Sequence, residues 1–231
     1  MFKELWALLR SDDAVARMGD DFSRMLDLSH ELTVRAGAIF FEDSYSSEAD
    51  ERREIYKRDV KINKLERRIR KQVIAHLTLG TNPGSVPYCL LLMSLVKDVE
   101  RLGDYAKNVS EVHYEGGGPL PDDENSAELR EIRRLVEETF SSVNEVFARS
   151  DTDAALHLIR QGRQSNRRCD KLVARIAGSS YDAATTTSML LGARYYKRIE
   201  SHLLNVLSGI VMPVHKLDYY DEKVLESGPT G

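Results

Sequence analysis

Apolar residues recur along this chain at steps of three and four, a spacing that predicts amphipathic helices. The first runs from Asp12 to Phe41, with Val15, Met18, Phe22, Met25, Leu28, Leu32, Ala36 and Ile39 on one stripe and Ser11 as its cap. A polar turn, Ser44 to Ser47, precedes a second helix from about Glu48 to Leu79, with Ser47 and Asp50 as the start signal. Its apolar positions are Ile55, Val60, Ile62, Leu65, Ile69, Val73 and Leu77, and the Gly80 to Gly84 cluster stops it. A third helix spans about Val86 to Tyr114. Gly116 to Pro121, followed by three acidic residues, reads as a linker. The rhythm restarts at Leu129, Ile132, Leu135, Val136, Phe140, Val143 and Phe147. Ser150 with Asp153 then predicts a helix to about Ala177, ended by Gly178. Ser179 and Ser180 are expected to cap a last helix reaching Leu217, before a polar tail expected to be disordered.

Three helices, a linker and three more predict an all-α fold of two tandem antiparallel three-helix bundles, because short connections force neighbours antiparallel. The expected division is 1–115, a linker over 116–122, a second unit over 123–220 and a tail over 221–231. Composition adds little: 30% charged and 42% hydrophobic residues are ordinary for a soluble protein. A net charge of −4 argues against nucleic-acid binding through bulk charge. Cys89 and Cys169 form no CxxC pair, which makes a reduced, cytoplasmic setting the expectation. No apolar run reaches membrane-spanning length, and Lys3 and Glu4 interrupt the apolar start, so it does not read as a signal peptide.

The chemistry concentrates in Val96 to Glu111. Val96, Val99, Leu102, Ala106 and Val109 share one helix face, while Glu100, Asp104 and Glu111 lie opposite, with Asn108 at the edge. Gly103 sits beside the apolar stripe, where close approach of a neighbouring helix is the plainest reason for a glycine. Carboxylates at i and i+4 repel unless a cation lies between them. On spacing alone, Glu100 and Asp104 equally suit a solvated face paired with Arg101 or Lys107. A second candidate, Asp27 with His30, is read as structural, since the chain has no ExxH to complete a di-metal bundle.

Glu100-Arg101-Leu102-Gly103-Asp104, with Asn108 one turn on, resembles the ERIGDxxxN signature of the PhoU family of phosphate-uptake regulators. In that family the acidic pair occurs once in each three-helix repeat and coordinates metal. The resemblance implies the same two-repeat fold, a metal site at Glu100 and Asp104, and a cytosolic regulator that is not an enzyme. It implies contact with a phosphate transporter or a phosphate-sensing histidine kinase. A second copy of the chain, as a homodimer, is a further expected partner. Oxygen donors suit Mg, Ca or Mn, with Fe and Zn left open, and acidic residues of neighbouring helices or waters must complete the shell. The alternatives from other classes are a metal-binding helical-bundle enzyme or store, and a scaffold that kept the fold without the phosphate role. No phosphate loop, GxSxG or Cys–His arrangement supports catalysis.

Sliding the chain by 97 residues lays the motif over Lys197 to Asn205. The apolar phase survives in Tyr196, Ile199, Leu203, Val206 and Ile210, and Asn205 matches Asn108. Lys197 and Ser201 replace the two carboxylates, so a divalent or trivalent ion is expected at the first repeat only. Glu200 and His202 are read as surface and flank. Lys57 to Lys71 carries eight cations and two anions, and Arg160, Arg163, Arg167, Arg168, Lys171 and Arg175 repeat the theme. Lys57, Lys61, Lys64, Arg67, Arg68 and Lys71 are therefore candidates for docking an acidic partner. The bland alternative is neutralisation inside each bundle by Asp20, Asp21, Glu131 and Glu137.

Overall fold

The computed structural model describes residues 13–41, 48–80 and 82–217. Six helices account for nearly all of it: α1 Asp13–Phe41, α2 Glu48–Leu79, α3 Val86–Glu111, α4 Glu124–Arg149, α5 Thr152–Ala177 and α6 Ala183–Val211. Short 3-10 turns at Pro83–Ser85 and Val214–Lys216 complete the order, and no strand occurs among the described residues. α1, α2 and α3 pack on one another, as do α4, α5 and α6, giving two three-helix bundles. The bundles meet where α3 lies against α6 and α1 against α4. The expected Ser11 cap, the Ser44 to Ser47 turn with its start signal, and the tail fall outside the described residues.

Helix starts in the second repeat follow one rule. Asp123, Asp151 and Asp182 are N-caps, and their carboxylates accept the amides of Ser126, Ala154 and Thr185 at 3.0, 3.1 and 2.7 Å. This corrects two expectations. Ser150 is not a cap for α5; it closes α4 in the left-handed region, φ 49°, and its amide returns to Phe147 and Val146. Ser179 likewise finishes α5, its hydroxyl donating to the Ile176 carbonyl at 2.7 Å, and leaves α6 to Asp182. Aspartate takes the cap because its carboxylate accepts from an orphan amide at the positive end of the helix dipole. α6 also stops at Val211, short of Leu217. Pro213 lacks the amide the next turn needs and holds Met212 extended (φ −117°, ψ 147°). α3 ends at Glu111 rather than Tyr114, and Gly116 turns the chain at φ +99°.

The connecting segment after Gly116 is tied down. Gly118 is buried, its amide donates to the Ala184 carbonyl at 2.9 Å, and its own carbonyl accepts from Ser188 Oγ at 2.7 Å. A polar cluster also joins the repeats. Asp98 of α3, nearly buried, accepts from His202 Nδ1 and Asn205 Nδ2 of α6, both at 2.8 Å, and Tyr105 stacks on the His202 ring. Removing both donors strands a buried carboxylate, which costs more than the two bonds are worth when made. His202→Ala with Asn205→Ala is expected to destabilise the protein by about 2–4 kcal/mol. Urea unfolding reads this directly, and an unchanged midpoint would show that the cluster does not hold the repeats together.

Candidate functional site

α3 holds Glu100 and Asp104 partly buried, their side chains 13% and 29% exposed, each already engaged by a cation of its own helix. Glu100 accepts from Lys97 Nζ at 2.6 Å, with Arg101 Nε at 3.8 Å, and Asp104 accepts from Arg101 Nη1 at 3.0 Å. Gly103 between them lets α2 come close: a Cβ there would lie 3.0 Å from Ile62 Cδ1 and 3.8 Å from Asp59 Oδ1.

Asp59 is the residue the sequence reading passed over. It is buried between the helices; its Oδ2 accepts from Asn63 at 3.4 Å, while Oδ1 is buried without a partner. Burial pushes its carboxyl up, and the charges of Asp104, Glu100 and Glu111 push further, against the pull of Lys107. One signal pointed to it. Asp59 lies four residues after Ile55 and three before Ile62, on the apolar stripe of an otherwise basic helix.

An orphaned buried carboxylate oxygen, its carboxyl raised by burial and by the charges of nearby carboxylates, is the hard-oxygen chemistry that a hard cation would need. Among the described residues, no three His, Cys, Asp or Glu side chains converge closely enough to hold an ion as they stand. Holding one requires Glu100 and Asp104 to exchange Lys97 and Arg101, both about half-exposed, for it.

The second repeat is built differently at the corresponding place. Lys197 Nζ bridges to Asp170 Oδ1 of α5 at 2.5 Å, and Ser201 Oγ donates to the Lys197 carbonyl and accepts from Asn166. Glu200, read from sequence as a surface residue, is fully buried. It lies four residues after Tyr196 and three before Leu203, on the buried stripe, and faces Gly162 of α5, where a Cβ would fall 2.0 Å from its Oε1. The two repeats therefore trade partners. Asp of the middle helix faces Gly of the last in one, and Gly of the middle helix faces Glu of the last in the other. Neither Glu200 oxygen has a hydrogen-bond partner, and burial pushes its carboxyl up to about 8. Thr139 lies close enough to lower it somewhat, but its hydroxyl donates to the Leu135 carbonyl at 3.1 Å. Asp27 and His30 are structural, accepting from Asn144 Nδ2 at 2.7 Å and packing on the Phe140 ring, respectively.

All six docking candidates, Lys57, Lys61, Lys64, Arg67, Arg68 and Lys71, are exposed on α2. Neutralisation inside the bundle is partial. Arg68 pairs with Asp21, Arg58 with Glu31, Lys57 with Glu54 and Arg70 with Glu66. Glu131 and Glu137 pair first with Arg134 and Arg133 of their own helix. Lys61, Lys64 and Lys71 have no acidic partner among the described residues.

Residues 15–112, nearly the whole of the first repeat's three helices, match the family model of the PhoU domain. That stretch is similar to a PhoU domain. Its fold matches two solved PhoU proteins over nearly their full length. The phosphate transport system regulatory protein PhoU from Streptococcus pneumoniae superposes with a TM-score of 0.72 at 16% identity, covering 89% of this chain and 95% of that one. PhoU from Pseudomonas aeruginosa gives 0.66 at 19% identity, covering 93% and 99%. Among curated proteins, no sequence matches significantly. The matched stretch thus coincides with the repeat that holds Asp59, Glu100, Asp104 and the unpaired cations of α2. None of the described helices is long and apolar enough to cross a membrane.

Proposed function

We propose that this protein is a regulator of phosphate uptake that acts by protein contact, docking through the basic face of α2 on a phosphate transporter or a phosphate-sensing histidine kinase. The observation that carries this reading is the PhoU domain match over residues 15–112, the helices that bear both the carboxylate seam and the free cations. The two features have distinct roles. A hard cation held by Asp59, Glu100 and Asp104 neutralises three carboxylates across the α2–α3 seam and fixes α2 against α3. α2 then presents Lys61, Lys64 and Lys71 as a rigid row that steers and orients an acidic partner. The family implies a cytoplasmic setting, where both partners expose the surfaces it would reach.

Cells that make the protein should restrain phosphate uptake when phosphate is plentiful. Deleting its gene is expected to raise the initial rate of radiolabelled phosphate uptake several-fold in phosphate-replete medium, and the wild-type gene should reverse the change. Equal uptake with and without the gene contradicts the proposal.

A further inference from the structure

Two of the three unpaired lysines of α2, Lys61 and Lys64, flank one opening. A cavity of about 270 Å³ between α1 and α2 is lined by Arg24 and Leu28 from α1 and by Lys61, Lys64, Leu65 and Arg68 from α2. Arg68 is held by Asp21, whereas Arg24, Lys61 and Lys64 have no acidic partner among the described residues. Leu65 is recessed, only 7% exposed, and Leu28 is half-buried beside it. The result is a rim of cations around an aliphatic floor. Arg24 was not among the sequence candidates, because it lies on a different helix. Of those candidates, Lys57 is turned to Glu54 and Arg67 Nε donates to the Asn63 carbonyl at 3.1 Å.

From this geometry we infer that the cleft between α1 and α2 receives an acidic protein segment bearing an aliphatic side chain, the side chain seated on Leu28 and Leu65 and its neighbouring carboxylates paired with Arg24, Lys61 and Lys64. Three properties select that occupant. The volume is below the range usual for cofactors and drug-sized ligands, and it suits one or two side chains. A free inorganic anion gains nothing from a leucine floor, whereas an aliphatic side chain does. A flat lipid surface meets the exposed cations but does not reach a recessed leucine, which a protruding side chain can. The inference rests on the docking reading above and narrows it to three cations and two leucines.

The test uses the purified full chain and fluorescein-labelled peptides followed by anisotropy. A peptide of alternating glutamate and leucine is expected to bind at low salt, and a glutamate–serine peptide of equal length at least about tenfold more weakly. Lys61→Glu with Lys64→Glu is expected to weaken the first peptide by at least about tenfold. Both residues are exposed and unpaired, so the circular dichroism of the variant should match the wild type. Millimolar inorganic phosphate should not compete, and the protein should not sediment with vesicles containing phosphatidylglycerol. Equal binding of the two peptides, or unchanged binding by the variant, overturns the inference, as does competition by phosphate or sedimentation with vesicles. Phosphate uptake by cells carrying the same variant separates the two readings. Loss of restraint with peptide binding intact rejects the cleft but keeps docking by α2. Loss of peptide binding with restraint intact keeps the cleft but rejects that docking mode.

Discussion

Glu200→Gln is expected to raise the stability of the protein at neutral and alkaline pH and to flatten its dependence on pH. Glu200 is fully buried, neither oxygen has a partner, and burial pushes its carboxyl from 4.5 to about 8. The folded state therefore holds a proton that the unfolded chain gives up. For a group raised in this way, the stabilisation is complete below the unfolded value and is lost as pH rises through the folded one. The wild type should weaken steadily between about pH 4.5 and pH 8. At pH 7 the linkage costs about 3 kcal/mol, taking about 1.4 kcal/mol for each pH unit above the unfolded value. Glutamine has nearly the same shape and does not ionise, so it removes this contribution. Asp59 is raised as well, by burial first, so the slope should shrink without vanishing. Urea unfolding of both proteins at pH 5, 6, 7 and 8 is the check. Parallel curves would mean that Glu200 is not the group that titrates.

Buried carboxylates mark the limit of what the sequence discloses. The three-and-four rhythm placed all six helices, and it placed α2 from Glu48 to Leu79 as found, because periodicity is a property of each segment alone. Asp59 and Glu200 were missed because a carboxylate on the apolar stripe is buried only if the facing helix makes room for it. Gly103 and Gly162 make that room. Which glycine meets which carboxylate depends on the register between helices, and one helix does not carry that information. Caps failed for a related reason. Ser150 and Ser179 are acceptable starts in isolation, and the choice fell to an aspartate one to three residues on, Asp151 and Asp182, once the preceding helix had used the serines to close itself. The end of α6 was placed too late, at Leu217, although Pro213 stands in the sequence as a breaker.

Glu100→Ala with Asp104→Ala is expected to abolish metal binding, and Asp59→Asn to weaken it severely. The seam offers carboxylate oxygens from both helices, and each of them must be ionised to bind. Metal affinity should therefore rise with pH as the raised Asp59 carboxyl gives up its proton. Lys197→Ala should change nothing, because removing that cation exposes Asp170, Ser201 and Asn166 without restoring a second pair of carboxylates on α6.

Manganese titration followed by electron paramagnetic resonance, which counts free Mn²⁺, tests the central claim that the metal chemistry belongs to the first repeat. Wild type and Lys197→Ala should take up the same amount of manganese, and the Glu100→Ala, Asp104→Ala protein should take up none. Wild-type uptake by that double variant, with its helical content intact, would contradict the site.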